Sequence, residues 1–157
     1  MDKCDFLIIG GGIIGISIAR ELKKRHPRAT LMLIEKEKDY GLHASGRNSG
    51  VLHAGFYYTA DSFKAKFTQA GNQRLTEYCE SRNIPVNKCG KLVVAQNKSE
   101  LSQLDELMVR AKNNNVPLNS ITEEEAKAIE PRVKTFERAL FSPTTSSVNP
   151  SQVVQAM

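Results

Sequence analysis

The chain has 157 residues, 40% apolar and 25% charged, with a formal net charge of +5. That is enough for one sizeable core and matches an ordinary folded protein, which excludes a fibre or a disordered chain. No apolar run approaches the roughly 20 residues of a membrane span, and the positive charge is scattered rather than gathered into a nucleic-acid-binding face.

In chain order, residues 5–9 (DFLII) form a short apolar run bounded by glycine, the pattern of a buried parallel strand. Residues 13–25 carry Ile14, Ile18, Ala19 and Leu22 at helical spacing. Lys23, Lys24 and Arg25 stand at the end of that helix, where cations suit the dipole, and Pro27 closes it. Residues 30–35 (TLMLIE) read as a second buried strand. Strand, helix and strand in about 30 residues make the first βαβ unit of a doubly wound sheet. Residues 41–50 are a loop rich in Gly and Ser, and 51–58 are apolar and aromatic. Asp61 or Ser62 caps a helix with Phe63, Phe67, Ala70 and Tyr78 as its buried stripe.

Residues 90–95 (GKLVVA) form a strand, and Ser99 caps a helix with Leu101, Leu104, Met108 and Ala111 on one face. Thr122 and Glu125 predict a capping box before Pro131, and residues 139–143 read as a strand. Asn149 and Pro150 then open a final helix, which the sequence leaves after about two turns. The expectation is a chain cut inside an element. Cys4, Cys79 and Cys89 are dispersed, with no CxxC pair. That argues against a disulfide framework or a zinc site and for a reducing compartment. The first strand starts too close to Met1 for a signal or transit peptide in this stretch.

The chemistry begins at Gly10-Gly11-Gly12-Ile13-Ile14-Gly15. Gly10 permits the tight turn off the strand, Gly12 lets backbone approach a pyrophosphate, and Gly15 allows the helix to pack closely. The helix N-terminus, with the amide of Ile14 in its first turn, offers N–H groups to phosphate. Glu35 ends the next strand 20 residues past Gly15, where a carboxylate accepts from ribose hydroxyls and repels a 2′-phosphate. This is a dinucleotide site. The fingerprint does not separate FAD from NAD, because both present the same pyrophosphate and ribose.

The separation comes from HASGRNSGVLHAGFYY (43–58), with KAKF (64–67), CGKLVVA (89–95), NNVPL (114–118), EAKAIEP (125–131) and SPTTSSVNPSQVV (142–154). These segments resemble the D-amino-acid-oxidase-like FAD-dependent oxidoreductases. Within them the likeness is greatest to the L-2-hydroxyglutarate dehydrogenase/oxidase family, and it runs in family order along almost the whole chain. The fold so implied is α/β. A Rossmann-like FAD-binding domain, a parallel sheet with helices, spans 1–85, the start of an α+β substrate domain spans 86–145, and a return helix covers 146–157. Family members are well over twice this length, so the resemblance implies the N-terminal portion of one, inactive as a fragment. Arg47 stands where close relatives often have His, and Ser147 where they often have Ile or Val.

The resemblance implies FAD as cofactor, held by Gly10, Gly11, Gly12, Ile14, Gly15, Glu35, Lys36, Ser45, Asn48 and Ser49, with no metal. It implies oxidation of an L-2-hydroxy acid, L-2-hydroxyglutarate to 2-oxoglutarate, with oxygen or a quinone as electron acceptor. Amine oxidation of the glycine or sarcosine oxidase type, and a non-catalytic nucleotide-binding fragment, are the alternatives. The implied location is cytoplasmic or peripheral to the inner membrane, mitochondrial in a eukaryote. His53 has three readings: the base that takes a hydroxyl proton, a packing histidine on a strand, and a site of covalent flavin attachment. Tyr57 and Tyr58 read either as carboxylate-binding hydroxyls or as core aromatics. His43 reads as structural, His26 as solvated, and Cys89 as a small packed hydrophobe.

Overall fold

A computed structural model of the chain describes residues 3–157. In order the elements are β1 (Phe6–Ile9), α1 (Ile13–Arg25), β2 (Leu31–Ile34), β3 (Val51–Leu52), α2 (Phe63–Ser81), β4 (Val86–Asn87) and β5 (Lys91–Val94). They continue with α3 (Leu101–Asn113), β6 (Asn119–Thr122), α4 (Glu123–Ile129), β7 (Arg138–Ser142), β8 (Ser146–Val148) and α5 (Pro150–Ala156). The chain divides into two compact units. The first holds the chain up to Gly50, Arg82–Pro85 and Val148–Met157; the second holds Val51–Ser81 and Val86–Ser147. Residues 51–81, which the sequence groups with the N-terminal part, therefore lie with the second unit.

In the first unit β1 and β2 pair in parallel, from Phe6 opposite Leu31 to Ile9 opposite Ile34. Parallel neighbours need a crossover, and α1 supplies it. Gly15 sets how closely the helix approaches. A Cβ there would collide with the Gly10 carbonyl oxygen and lie 3.3 Å from Ile8 Cγ2. This contact also fixes the helix rotation, which corrects the expected stripe: Ile16 is buried, while Ile14 is 74% exposed and Ile18 also faces out. The strand is likewise buried on one face only. Ile8 points in, but Leu7 and Ile9 point out, as the pleat dictates when one helix covers one face. α5 starts as expected: Asn149 Oδ1 accepts from the Ser151 and Gln152 amides at 3.0 and 3.3 Å, and Val153 and Val154 are buried.

The second unit centres on an antiparallel sheet of order β5–β7–β6. Its middle strand buries Ala139, Leu140 and Ser142 completely. Against it pack Leu104 and Ala111 of α3 with Ala54, Phe56, Ala95, Val116 and Leu118. A second sheet of order β3–β8–β4 pairs Val51 with Ser147 and Leu52 with Ser146. The capping box is present: Thr122 Oγ1 accepts from the Glu125 amide at 3.2 Å, and Glu125 Oε2 from the Thr122 amide at 2.8 Å. Three expectations are corrected. The cap before α3 is Asn97, which opens a 3-10 turn at Lys98–Glu100. The buried residues of α2 are Ala65 and Cys79, while Phe63 and Phe67 stack on each other in the open, 76% and 71% exposed. Cys89 is exposed. Strands β6 and β8 carried no apolar run in the sequence, because NSIT is a mostly exposed edge and SSV is short and polar.

Candidate functional site

The first unit brings the fingerprint residues together. Gly10 leaves β1 at φ +105°, a conformation that favours glycine, and nothing stands within 4 Å of where its side chain would be. Backbone is thus laid open at the carboxyl end of the strand. Gly11 is covered by Tyr40, whose ring a Cβ would strike. A Cβ on Gly12 would stand 3.2 Å from Ser45 Oγ, and that hydroxyl accepts from the Ile13 amide at 3.0 Å. Ser45 therefore places an oxygen at the helix N-terminus, as an anion oxygen would be placed. Ile14 takes part only through its backbone, since its side chain faces out.

The Glu35 carboxylate faces the same turn. Oε2 accepts from the Gly11 amide at 2.6 Å and Oε1 from the Glu37 amide at 3.1 Å. These bonds, Glu37 first and then Gly11, hold its pKa below the usual glutamate value. It is ionised at neutral pH, and each oxygen keeps a lone pair for a hydroxyl donor. Beside it a cleft of about 430 Å³ is lined by Ile9, Gly10, Ile34, Glu35, Lys36 and His43. His43 Nε2 lies 2.8 Å from Glu37 Oε1, so a side chain read as merely structural forms a wall of the cleft. Asn48 turns inward on its loop: Nδ2 donates to the Ala44 and Ser45 carbonyls, both at 3.0 Å, and Oδ1 accepts from the Gly50 amide at 2.9 Å. Ser49 is exposed on the same loop. The set suits a dinucleotide: a turn with free space at Gly10 for a pyrophosphate, an ionised carboxylate for ribose hydroxyls, and apolar isoleucines beside them.

His53 belongs to the second unit, directly after β3. The residue is exposed, with part of its imidazole withdrawn from water. Its pKa is pushed below the ordinary histidine value, first by that shielding and then by the positive charge of Lys91. The segment it opens is tied down one carbonyl after another. Asn72 Nδ2 donates to the carbonyls of Leu52 (2.8 Å) and Thr144 (3.2 Å). Asn114 Nδ2 donates to those of Gly55 (3.2 Å) and Tyr58 (2.8 Å). Arg110 Nη1 donates to that of Tyr57 at 2.8 Å while its other arm pairs with Glu106. Phe56, 1% exposed, anchors the segment in the core. The Tyr57 ring packs tilted against Phe56 with centroids 4.3 Å apart, and both tyrosines are half-buried. The clamp residues were not singled out in the sequence, although Asn114 opens the NNVPL segment. Their partners lie between 20 and 72 residues away, and no local pattern announces them.

The turn, the carboxylate at the end of β2 and the serine at the helix end define a dinucleotide-binding α/β protein, and the chain belongs to the FAD dependent oxidoreductase family, whose model matches residues 5–157. Among curated relatives, the mitochondrial L-2-hydroxyglutarate dehydrogenase of Nematostella vectensis is 44% identical over 153 residues, 97% of this chain and 33% of the relative. The L-2-hydroxyglutarate dehydrogenase of Escherichia coli is 39% identical over 153 residues, 98% of this chain and 36% of the relative. The chain thus spans about a third of the length of the curated relatives it matches. Among solved structures, the FAD-bound L-alpha-glycerophosphate oxidase of Mycoplasma pneumoniae superposes with a TM-score of 0.87 at 28% identity, over 99% of this chain and 41% of that one. No helix among the described residues is long and apolar enough to cross a membrane.

Proposed function

We propose that the protein oxidises an L-2-hydroxy acid to the 2-oxo acid with FAD, and that L-2-hydroxyglutarate, named for its curated relatives, is the substrate. The observation that carries the cofactor reading is the Glu35 carboxylate set against the Gly10–Gly12 turn, which is open at Gly10. Gly10 through Gly15 and Ser45 would receive the pyrophosphate, Glu35 the ribose, and Ile9, Ile34 and His43 would flank the adenosine end. FAD, when bound, supplies the acceptor for the hydrogen and electron pair that leave carbon 2. His53 takes the hydroxyl proton as the C–O bond becomes C=O. Its lowered pKa keeps the imidazole neutral, and so able to accept, at neutral pH. The bonds to the Leu52, Gly55, Tyr57 and Tyr58 carbonyls hold that segment in place before substrate arrives.

The test is the visible spectrum of the intact purified protein under anaerobic conditions. L-2-hydroxyglutarate should bleach a flavin band that acid precipitation releases into the supernatant. Bleaching by glycine or sarcosine instead would move the reading to an amine oxidase. A colourless, folded protein that takes up no added FAD would remove it. Reoxidation by oxygen compared with a soluble quinone identifies the acceptor.

A further inference from the structure

We propose that His43 reads the base of the bound dinucleotide: its Nδ1 accepts from the exocyclic amino group of adenine, and Glu37 fixes the tautomer that allows this. The inference deepens the cofactor reading above and rests on it. Ribose and base are joined by a single bond, so a ribose held at Glu35 puts its base beside that carboxylate. The space within reach is the cleft of about 430 Å³ that Glu35 itself lines. Ile9 and Ile34, both exposed at the ends of β1 and β2, give the cleft apolar walls, and His43 is a further lining residue. Branched apolar side chains suit the flat face of a base, but they carry no group that tells one purine from another. An imidazole does.

The bond between His43 Nε2 and Glu37 Oε1, 2.8 Å long, decides which hydrogen-bonding group the ring has left to offer. It is also the first cause that holds the Glu37 carboxyl below the usual glutamate range. An ionised carboxylate only accepts, so Nε2 carries the proton and donates. In the neutral imidazole Nδ1 is then a bare acceptor. Among the described residues no protein group bonds to it. Adenine presents an amino donor where guanine and hypoxanthine present a carbonyl oxygen. Opposite the amino group, Nδ1 makes a hydrogen bond; opposite the carbonyl, two acceptors face each other. The other charged groups of the cleft do not make this distinction. The Gly11 and Glu37 amides donate to the Glu35 oxygens, which face the turn. Lys36 Nζ stands 3.7 Å from Glu37 Oε1 and can only donate.

The experiment uses the intact protein freed of flavin, with its His43→Phe and Glu37→Gln variants. Kd is measured by calorimetry at mildly alkaline pH for FAD, ADP and IDP, the last differing from ADP in carrying hypoxanthine. The wild type should prefer ADP to IDP by about three- to tenfold, the scale of one hydrogen bond made or left unmade. His43→Phe keeps a ring in the cleft and removes the acceptor. ADP should bind more weakly, and the preference should fall to within about twofold. Glu37→Gln keeps the imidazole, but the new amide can donate to Nε2 and leave the ring proton on Nδ1. The preference should fall here too, or turn toward IDP. A purely structural role of either residue would weaken both nucleotides alike, so the ratio is the deciding quantity. A wild type that binds FAD but takes ADP and IDP equally overturns the inference and leaves the cofactor reading standing. So does a folded His43→Phe protein that keeps the full preference. Full preference in Glu37→Gln overturns the tautomer assignment. A wild type that binds neither FAD nor ADP overturns the cofactor reading and the inference together.

Discussion

In the first unit the proposed cofactor site is a glycine turn and one carboxylate, set by residues close together in sequence. Gly10 leaves the main chain bare, Gly15 lets α1 pack close, and Glu35 directly follows the neighbouring strand. In the second unit the group proposed to react is a side chain, His53, on a segment with little regular structure, and amide and guanidinium donors from α2, α3 and the residue after α3 grip its carbonyls. Absent side chains build the one site, and distant side chains build the other. The first should fail when bulk is added, and the second when donors are removed.

The largest effect belongs to the first unit. Gly12→Val puts a Cβ 3.2 Å from Ser45 Oγ and two methyl groups beyond it, in the approach to the helix end. Flavin should be absent from the purified, folded variant, and absorbance near the flavin band measures this directly. Full flavin content would show that this turn does not carry the phosphates. Next is His53→Ala, which should keep its flavin and lose about 10²–10⁴-fold in kcat with little change in KM. Near-normal turnover would reduce His53 to a packing residue and leave the comparison with one functional side.

How much of each unit could be read in the sequence follows the same division. The turn, α1, β2 and Glu35 were legible because each depends on neighbours a few residues away and on one spacing rule. The capping box at Thr122 and the cap at Asn149 were legible for the same reason. Burial was not: Ile14, Ile18, Phe63 and Phe67 have the right spacing for inner faces and point outward. Periodicity fixes an amphipathic stripe but not its rotation, and here close contact at Gly15 sets the rotation of α1. Asn114, Arg110 and Asn72 could not be found by pattern, since a single amide or guanidinium reaching a carbonyl 20 or more residues away leaves no periodic trace.

Two smaller effects sharpen the contrast. Asn114→Ala removes the donor shared by the Gly55 and Tyr58 carbonyls, and should cost about 1–3 kcal/mol in thermal or denaturant unfolding. If the clamp serves positioning, kcat should fall as well while flavin content holds; a loss of stability alone would leave the clamp a packing device. The pH profile gives a finer reading. His53 accepts a proton only when neutral, so kcat/KM should fall as pH drops through its lowered pKa, with the acid limb below the usual histidine range. Replacing Lys91 by Met removes a like charge, favours the protonated imidazole and should move that limb to higher pH. A limb that stays in place would separate Lys91 from His53 electrostatically. As a baseline, Thr122→Ala breaks the capping box of α4, and should cost about 0.5–2 kcal/mol of stability and no activity.

The loop at 41–50 depends on residues made long after it. Ser151 Oγ donates to the Gly46 carbonyl at 3.0 Å, the Val148 amide donates to the Gly50 carbonyl at 2.9 Å, and Val154 lies where any side chain on Gly41 would have to go. During synthesis the strand–turn–helix at the start of the chain emerges first, yet the loop bearing Ser45 lacks these supports for about a hundred residues of further elongation. Closing so long a loop has an entropic cost that short-range contacts avoid, and it slows folding. The loop bearing Ser45 is therefore a late-maturing part of an early-born unit. A nascent chain short of α5 should expose it to proteases, and the last turn of the helix should mark the moment at which that sensitivity disappears.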